Sequence, residues 1–176
     1  LHNVENALAA MAAAQHVGVA AEVSAEALLA FKGVKRRLEL LGVVDEIAIY
    51  DDFAHHPTAI ATTLQGLRAR TGHGRLLALI EPRSNTMRMG EHREQLAAAT
   101  AAADQIYWFQ PPGMDWSLDD VISQSPSPAH LASDIDQLVA AVAAEARPGD
   151  QVVIMSNGSF GGIHQKLLMQ LEHAHG

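Results

Sequence analysis

Six short apolar runs, most of them separated by stretches of helical length, constrain this chain more than any single residue does. "RLELLGVV" and "EIAIYDD" alternate as half-buried strands do, with a tight turn at Asp45 between them. "RLLALIEP", "QIYWFQPP" and "QVVIMS" are continuously apolar, the pattern of strands covered on both faces, and "AHLAS" reads as a shorter strand. Between them lie a helix opened by Pro57 with Ile60, Leu64 and Leu67 on one face, and a helix from about Gly90 to Ala103. Further on come a helix carrying Ile135, Leu138, Val139 and Val142, and a last helix carrying Ile163, Leu167, Leu168 and Leu171. Strands alternating with helices imply an α/β fold: a mostly parallel sheet of about six strands, mixed by an initial hairpin, with helices on both faces. The segment from Gly113 to Pro128, rich in Pro, Ser and Asp, reads as a long surface loop.

The first 32 residues differ. Val4, Leu8 and Met11 recur at helical spacing between Asn3 and His16, and a second helix is expected from Ser24, as N-cap, to Phe31. The glycine-interrupted basic link "FKGVKRR" then marks a boundary near Gly33, giving a helical piece over 1–32 and an α/β domain over 33–176. The chain opens on Leu1 inside a helical pattern, and the expectation is a fragment of a longer protein.

Composition narrows the function classes. A net charge of −8 with no basic stripe argues against a nucleic-acid surface. No apolar run reaches the roughly 18 residues of a membrane span. With no cysteine, thiolate metal sites and disulfides are excluded. Nine arginines against three lysines suit planar recognition of carboxylate or phosphate.

In an α/β sheet of this kind, ligands bind beyond the carboxyl ends of the strands. Three polar loops leave strands at that edge: "DDFAHHP", "EPRSNTMRMG" and "SNGSFGG". Asp52 of the first can accept bonds from ribose hydroxyls, or it and His56 can merely cap the Pro57 helix; adjacent His55 and His56 are poorly spaced for a metal. Arg83 and Arg88 of the second can clamp carboxylates, or lie in a solvated loop. The third opens a helix, where free N–H groups favour an anion, although a glycine-rich turn is most often only a turn. Asn3 and Asn6, one helical turn apart, can read an adenine edge or cap a neighbour.

Taken in order, "HNVENALAA", "FKGVKRRLE", "DDFAHHPTAI", "EPRSNTMRMG" and "SNGSFGGIHQKLL" resemble the Mur ligases, ATP-dependent ligases of bacterial cell-wall peptide synthesis. The resemblance covers essentially the whole chain and implies the last helices of a central ATP-binding domain over 1–32, followed by a Rossmann-like C-terminal domain over 33–176. It implies ATP and Mg²⁺ as cofactors, with the magnesium ligands mainly outside this chain, and a bacterial cytoplasmic setting. The implied substrates are UDP-N-acetylmuramate and the murein tripeptide L-Ala-γ-D-Glu-meso-diaminopimelate, joined through an acyl phosphate in cell-wall peptide recycling. The alternatives are L-alanine as acceptor, or a non-catalytic nucleotide- or peptide-binding module. By the resemblance, Asn3 and Asn6 approach the adenine, Arg37 reaches the nucleotide phosphates and acts in catalysis, Asp52 holds the ribose and His56 lies beside it. Arg83, Arg88, Ser156, Ser159 and Phe160 face the peptide. Because the phosphate-binding loop and the UDP-sugar site lie outside this chain, the fragment alone is expected to be inactive.

Overall fold

The apolar runs become strands where expected. The computed structural model describes residues 2–31, 33–72, 74–83 and 92–175, in two compact units, 1–34 and 35–176. The first holds two helices, α1 (His2–His16) and α2 (Ala21–Ala30). Helix α2 starts three residues before the expected Ser24, because Ala21 and Glu22 already favour helix and Ala20 serves as its N-cap without a side-chain bond. Ser24 is instead buried inside the helix, its hydroxyl without a hydrogen-bond partner among the described residues.

The second unit is a six-stranded sheet. In chain order it contains β1 (Glu39–Val44), β2 (Ile47–Asp52), α3 (Pro57–Thr71), β3 (Leu76–Ile80), α4 (Arg93–Ala99) and β4 (Gln105–Phe109). Then come α5 (Asp119–Ser123), β5 (Ala129–Ala132), α6 (Ile135–Glu145), β6 (Gln151–Met155), a 3-10 turn (Phe160–Gly162) and α7 (Ile163–His175). The strand order is β1-β2-β6-β3-β4-β5, antiparallel only between β1 and β2. The turn between those two is made by Asp45 and Glu46, both with positive φ (46° and 62°), as a two-residue hairpin matching the strand twist requires.

Every residue of β3 and β4 is buried. Alternate side chains enter two cores: Ala78, Ile80, Ile106 and Trp108 pack with α3, α4 and α5, while Leu77, Leu79, Tyr107 and Phe109 pack with α6 and α7. This double coverage explains why those strands read as unbroken apolar runs.

Two expectations change in extent. Helix α4 ends at Ala99 rather than Ala103, because Thr100 to Ala103 fold into turns that deliver the chain to β4; the residues 84–91 before it lie outside the described set. The segment 113–128 is not simply a surface loop: Leu118 and Val121 anchor α5 in the first core. Among the described residues no helix is long and apolar enough to cross a membrane.

Topology locates a crevice. The connection after β3 leads to α4 on one face of the sheet, whereas that after the adjacent β6 leads to α7 on the other. Loops that diverge in this way leave a cleft at the carboxyl ends of their strands.

Candidate functional site

The site is assembled from the end of β2 outward. Successive strand residues point to opposite faces, so Asp51 and Asp52 part company. Asp51, 7% exposed, turns toward α7, where His164 Nε2 lies 3.1 Å from its Oδ1. Asp52, 3% exposed, turns toward α3: its Oδ1 accepts from Ala54 N (2.8 Å) and Thr63 Oγ1 (3.3 Å), and its Oδ2 accepts from Leu38 N at 2.7 Å. Asp52 therefore organises the strand-to-helix turn from within. His56 caps α3, its Nδ1 accepting from Thr58 N at 3.3 Å, with Pro57 in the first helical turn. The His92 ring meets His56 edge-on at 4.4 Å, and His55 Nδ1 lies 2.9 Å from the Phe53 carbonyl.

The segment before β1 is fastened to the same place. Arg36 donates through Nε to Asp51 Oδ2 (3.0 Å) and through Nη2 to the carbonyls of Ser156 (2.6 Å) and Gly158 (2.9 Å). Arg37 is exposed, its guanidinium 5.9 Å from the Phe53 ring centre, with no ion pair among the described residues. A delocalised cation resting on an aromatic face in this way is held without being neutralised.

Across the crevice, the Ser156 hydroxyl donates to Glu81 Oε2 at 2.5 Å and accepts from Gly158 N at 2.9 Å. Glu81 is buried, and its Oε1 lies 4.0 Å from Arg83 Nη1. Arg83 crosses so close to Gly158 that a Cβ there would meet its Cδ and Nη1 at 2.6 Å.

Three placements bear on the sequence reading. Ser156 and Phe160 do not present themselves to a peptide. Both are 0% exposed: the Ser156 hydroxyl is engaged by Glu81, and the Phe160 ring packs 5.4 Å from Phe109 in the second core. In the loop "SNGSFGG" the carbonyls of Ser156 and Gly158 accept from the Arg36 guanidinium, and Gly158 N donates to the Ser156 hydroxyl. Ser159 and Arg83 do remain at the surface. Arg88 falls outside the described residues. Asn6 is exposed on α1 one turn from Asn3, in the first unit.

The sequence reading missed Arg36, Asp51, Glu81 and His164. The pleat offered a clue to Asp51, since one of two adjacent strand carboxylates has to face α7. Arg36 had no clue, because two of its guanidinium's three acceptors lie 120 and 122 residues away.

Residues 36–158 match the family described as "Mur ligase, glutamate ligase domain". The chain belongs to the Mur ligase family. Its similarity to individual Mur ligases is high. It is 50% identical over 172 residues to the UDP-N-acetylmuramate–L-alanyl-γ-D-glutamyl-meso-2,6-diaminoheptandioate ligase of Haemophilus influenzae, a match covering 97% of this chain and 38% of that protein. The ligase of the same name from Escherichia coli is 49% identical, over 95% of this chain and 37% of its own length. The crystal structure of a murein peptide ligase from Psychrobacter arcticus superposes with a TM-score of 0.78 at 47% identity, over 98% of this chain and 37% of that one. The chain thus spans less than two fifths of the length of these three relatives.

Proposed function

We propose that this chain is the C-terminal part of an ADP-forming ligase. The enzyme joins L-Ala-γ-D-Glu-meso-diaminopimelate to the muramoyl carboxylate of UDP-N-acetylmuramate in bacterial cell-wall peptide recycling. The observation that carries the reading is the 50% identity, sustained over 97% of the chain, to a ligase named for those substrates. In this reading 1–32 ends a central ATP-binding domain, with Asn3 and Asn6 assigned to the adenine, and the enzyme works in the cytoplasm.

The residues fit their parts unequally. Arg37, exposed and resting on Phe53, suits a phosphate, and a cation there opposes the charge that grows as the phosphoryl group transfers. Asp52 already accepts three hydrogen bonds, so a ribose hydroxyl would add to a carboxylate fixed in direction, with His56 beside it at the helix cap. Arg83, with Ser159 and Arg88, is assigned to the carboxylates of the peptide. Magnesium is assigned mainly to ligands outside this chain, since the ion is commonly held by one or two carboxylates together with substrate phosphates. Holding amine and acyl phosphate together supplies the rest as effective concentration.

ADP release by the full-length protein tests the reading, with UDP-N-acetylmuramate present and either tripeptide or L-alanine as acceptor. Release is expected with tripeptide. Release with L-alanine alone would transfer the assignment to the L-alanine-adding reaction. The 176-residue chain by itself is expected to release none.

A further inference from the structure

Arg36 stands next to the arginine assigned to the nucleotide, yet its own side chain turns inward. Its guanidinium joins a carboxylate at the end of β2 to two carbonyls of the loop after β6. Only a planar, forked donor spans such a set; a lysine ammonium is a point charge that cannot reproduce it. The backbone of Arg36 is equally fixed. Its φ is 57°, in the left-handed region; its N–H donates to Glu39 Oε2 at 2.8 Å, and its carbonyl accepts from Phe53 N at 2.8 Å. Its guanidinium also lies 5.3 Å from the Phe53 ring centre, the same ring that carries Arg37.

The residue before Arg37 is therefore tied at its amide, its carbonyl and its side chain. On the other side of that tie, the loop 156–158 is bonded to Glu81 and lies beneath Arg83. We propose that Arg36 is a positioning residue that sets Arg37 and the 156–158 loop in one fixed relation, aligning the phosphate-facing and peptide-facing groups. The proposal rests on the ligase reading above. An ion pair that served stability alone would alter unfolding and leave the kinetic constants of the folded enzyme unchanged.

The test uses the full-length ligase with Arg36→Gly and Arg36→Lys. Glycine relaxes the left-handed backbone while deleting the clamp, which guards against simple failure to fold. Lysine keeps the charge without the fork. Amide hydrogen exchange at 157–160 is expected to quicken by about tenfold or more in Arg36→Gly, as the loss of hydrogen bonds to a charged group implies, with β3 amides unchanged. The kcat is expected to fall about 100-fold, the scale of a small misplacement of reacting groups, with tripeptide KM raised and UDP-N-acetylmuramate KM unchanged. Arg36→Lys should recover part of the kcat. Unchanged exchange at 157–160 in an active enzyme would overturn the clamp, and so would a kcat loss that disappears on correction for folded fraction. A wild-type protein without tripeptide-dependent ADP release would instead sink the ligase reading, and the alignment role with it.

Discussion

At the amino end of the sheet, Arg75 donates to both oxygens of Asp150 (3.0 and 2.6 Å) and to the Glu145 carbonyl (2.9 Å); at the carboxyl end, Arg36 divides itself between Asp51 and two loop carbonyls. Both are charge-assisted contacts at strand ends. They differ in what stands beside them. Next to Arg75, the Asp150 carboxylate also accepts from Arg147 N, and Arg68 binds Asp104 and the carbonyls of Ala102 and Gly74. These arginines close turns. Next to Arg36, Arg37 and Arg83 keep their guanidinium groups toward solvent. Arginines at the two ends thus differ in the direction their neighbours leave them, inward at the amino end and partly outward at the carboxyl end.

The contrast is open to attack from both ends, and the largest effect is expected at the carboxyl end. Arg37→Ala in the full-length ligase should lower kcat about 10³-fold, as loss of a cation at a transferring phosphoryl group does. Its unfolding free energy should move by less than about 0.5 kcal/mol, since the side chain is exposed. A stability loss with kcat intact would erase the distinction between the two ends.

Arg75→Met should do the reverse. It strands Asp150, a buried carboxylate, and urea unfolding should show a loss of about 3 kcal/mol, while kcat per folded molecule stays unchanged. The bond to Asp150 outweighs desolvation and holds the Arg75 pKa above its ordinary value.

A smaller effect separates loop from site. Gly158→Ala should raise the tripeptide KM roughly tenfold by displacing Arg83, since about 1.4 kcal/mol of lost binding suffices. The intruding methyl meets the flexible end of a side chain, so the stability cost should stay below about 1 kcal/mol. An unchanged KM would free Arg83 from the peptide assignment.

The smallest effect belongs to Tyr107. Burial, and then its hydrogen bond to Glu145 Oε2 (2.8 Å), raise its pKa far above the ordinary tyrosine value. The unfolded chain therefore releases this proton near pH 10 while the folded one keeps it. The contribution is complete below about pH 10 and is lost as pH rises above that value. Tyr107→Phe should flatten this alkaline limb in a stability–pH series and cost only about 1 kcal/mol at neutral pH.

Much of this was legible in the sequence, for physical reasons that particular residues show. Leu77 to Leu79 announced a doubly covered strand because burial on both faces leaves no polar position, and Pro57 announced a helix start because its missing N–H costs nothing there. Ser24 misled because a good cap residue also tolerates a helix interior. Leu118 and Val121 were hidden in a stretch whose polar composition outweighed two buried side chains. At the site, Arg37 and Asp52 could be named only as candidates, through company and order. The distant partners of Asp51 and Arg36 could not be named, because His164 and the carbonyls of Ser156 and Gly158 are brought in by the fold from more than a hundred residues away.

The alternation that sends Asp51 and Asp52 to opposite faces also makes β2 intolerant of any change in length. One residue gained or lost after Ile47 would shift the strand out of phase, pointing the Arg36 acceptor at α3 and the turn organiser at α7. Strand β1 already absorbs such an irregularity, at Leu40–Gly42, where a bulge sits on an edge with a neighbour on one side only. Strand β2, paired on both sides, has no comparable slack. Substitutions in "DDFAHHP" can be graded one by one, whereas a frame slip within its strand would disable both carboxylates together.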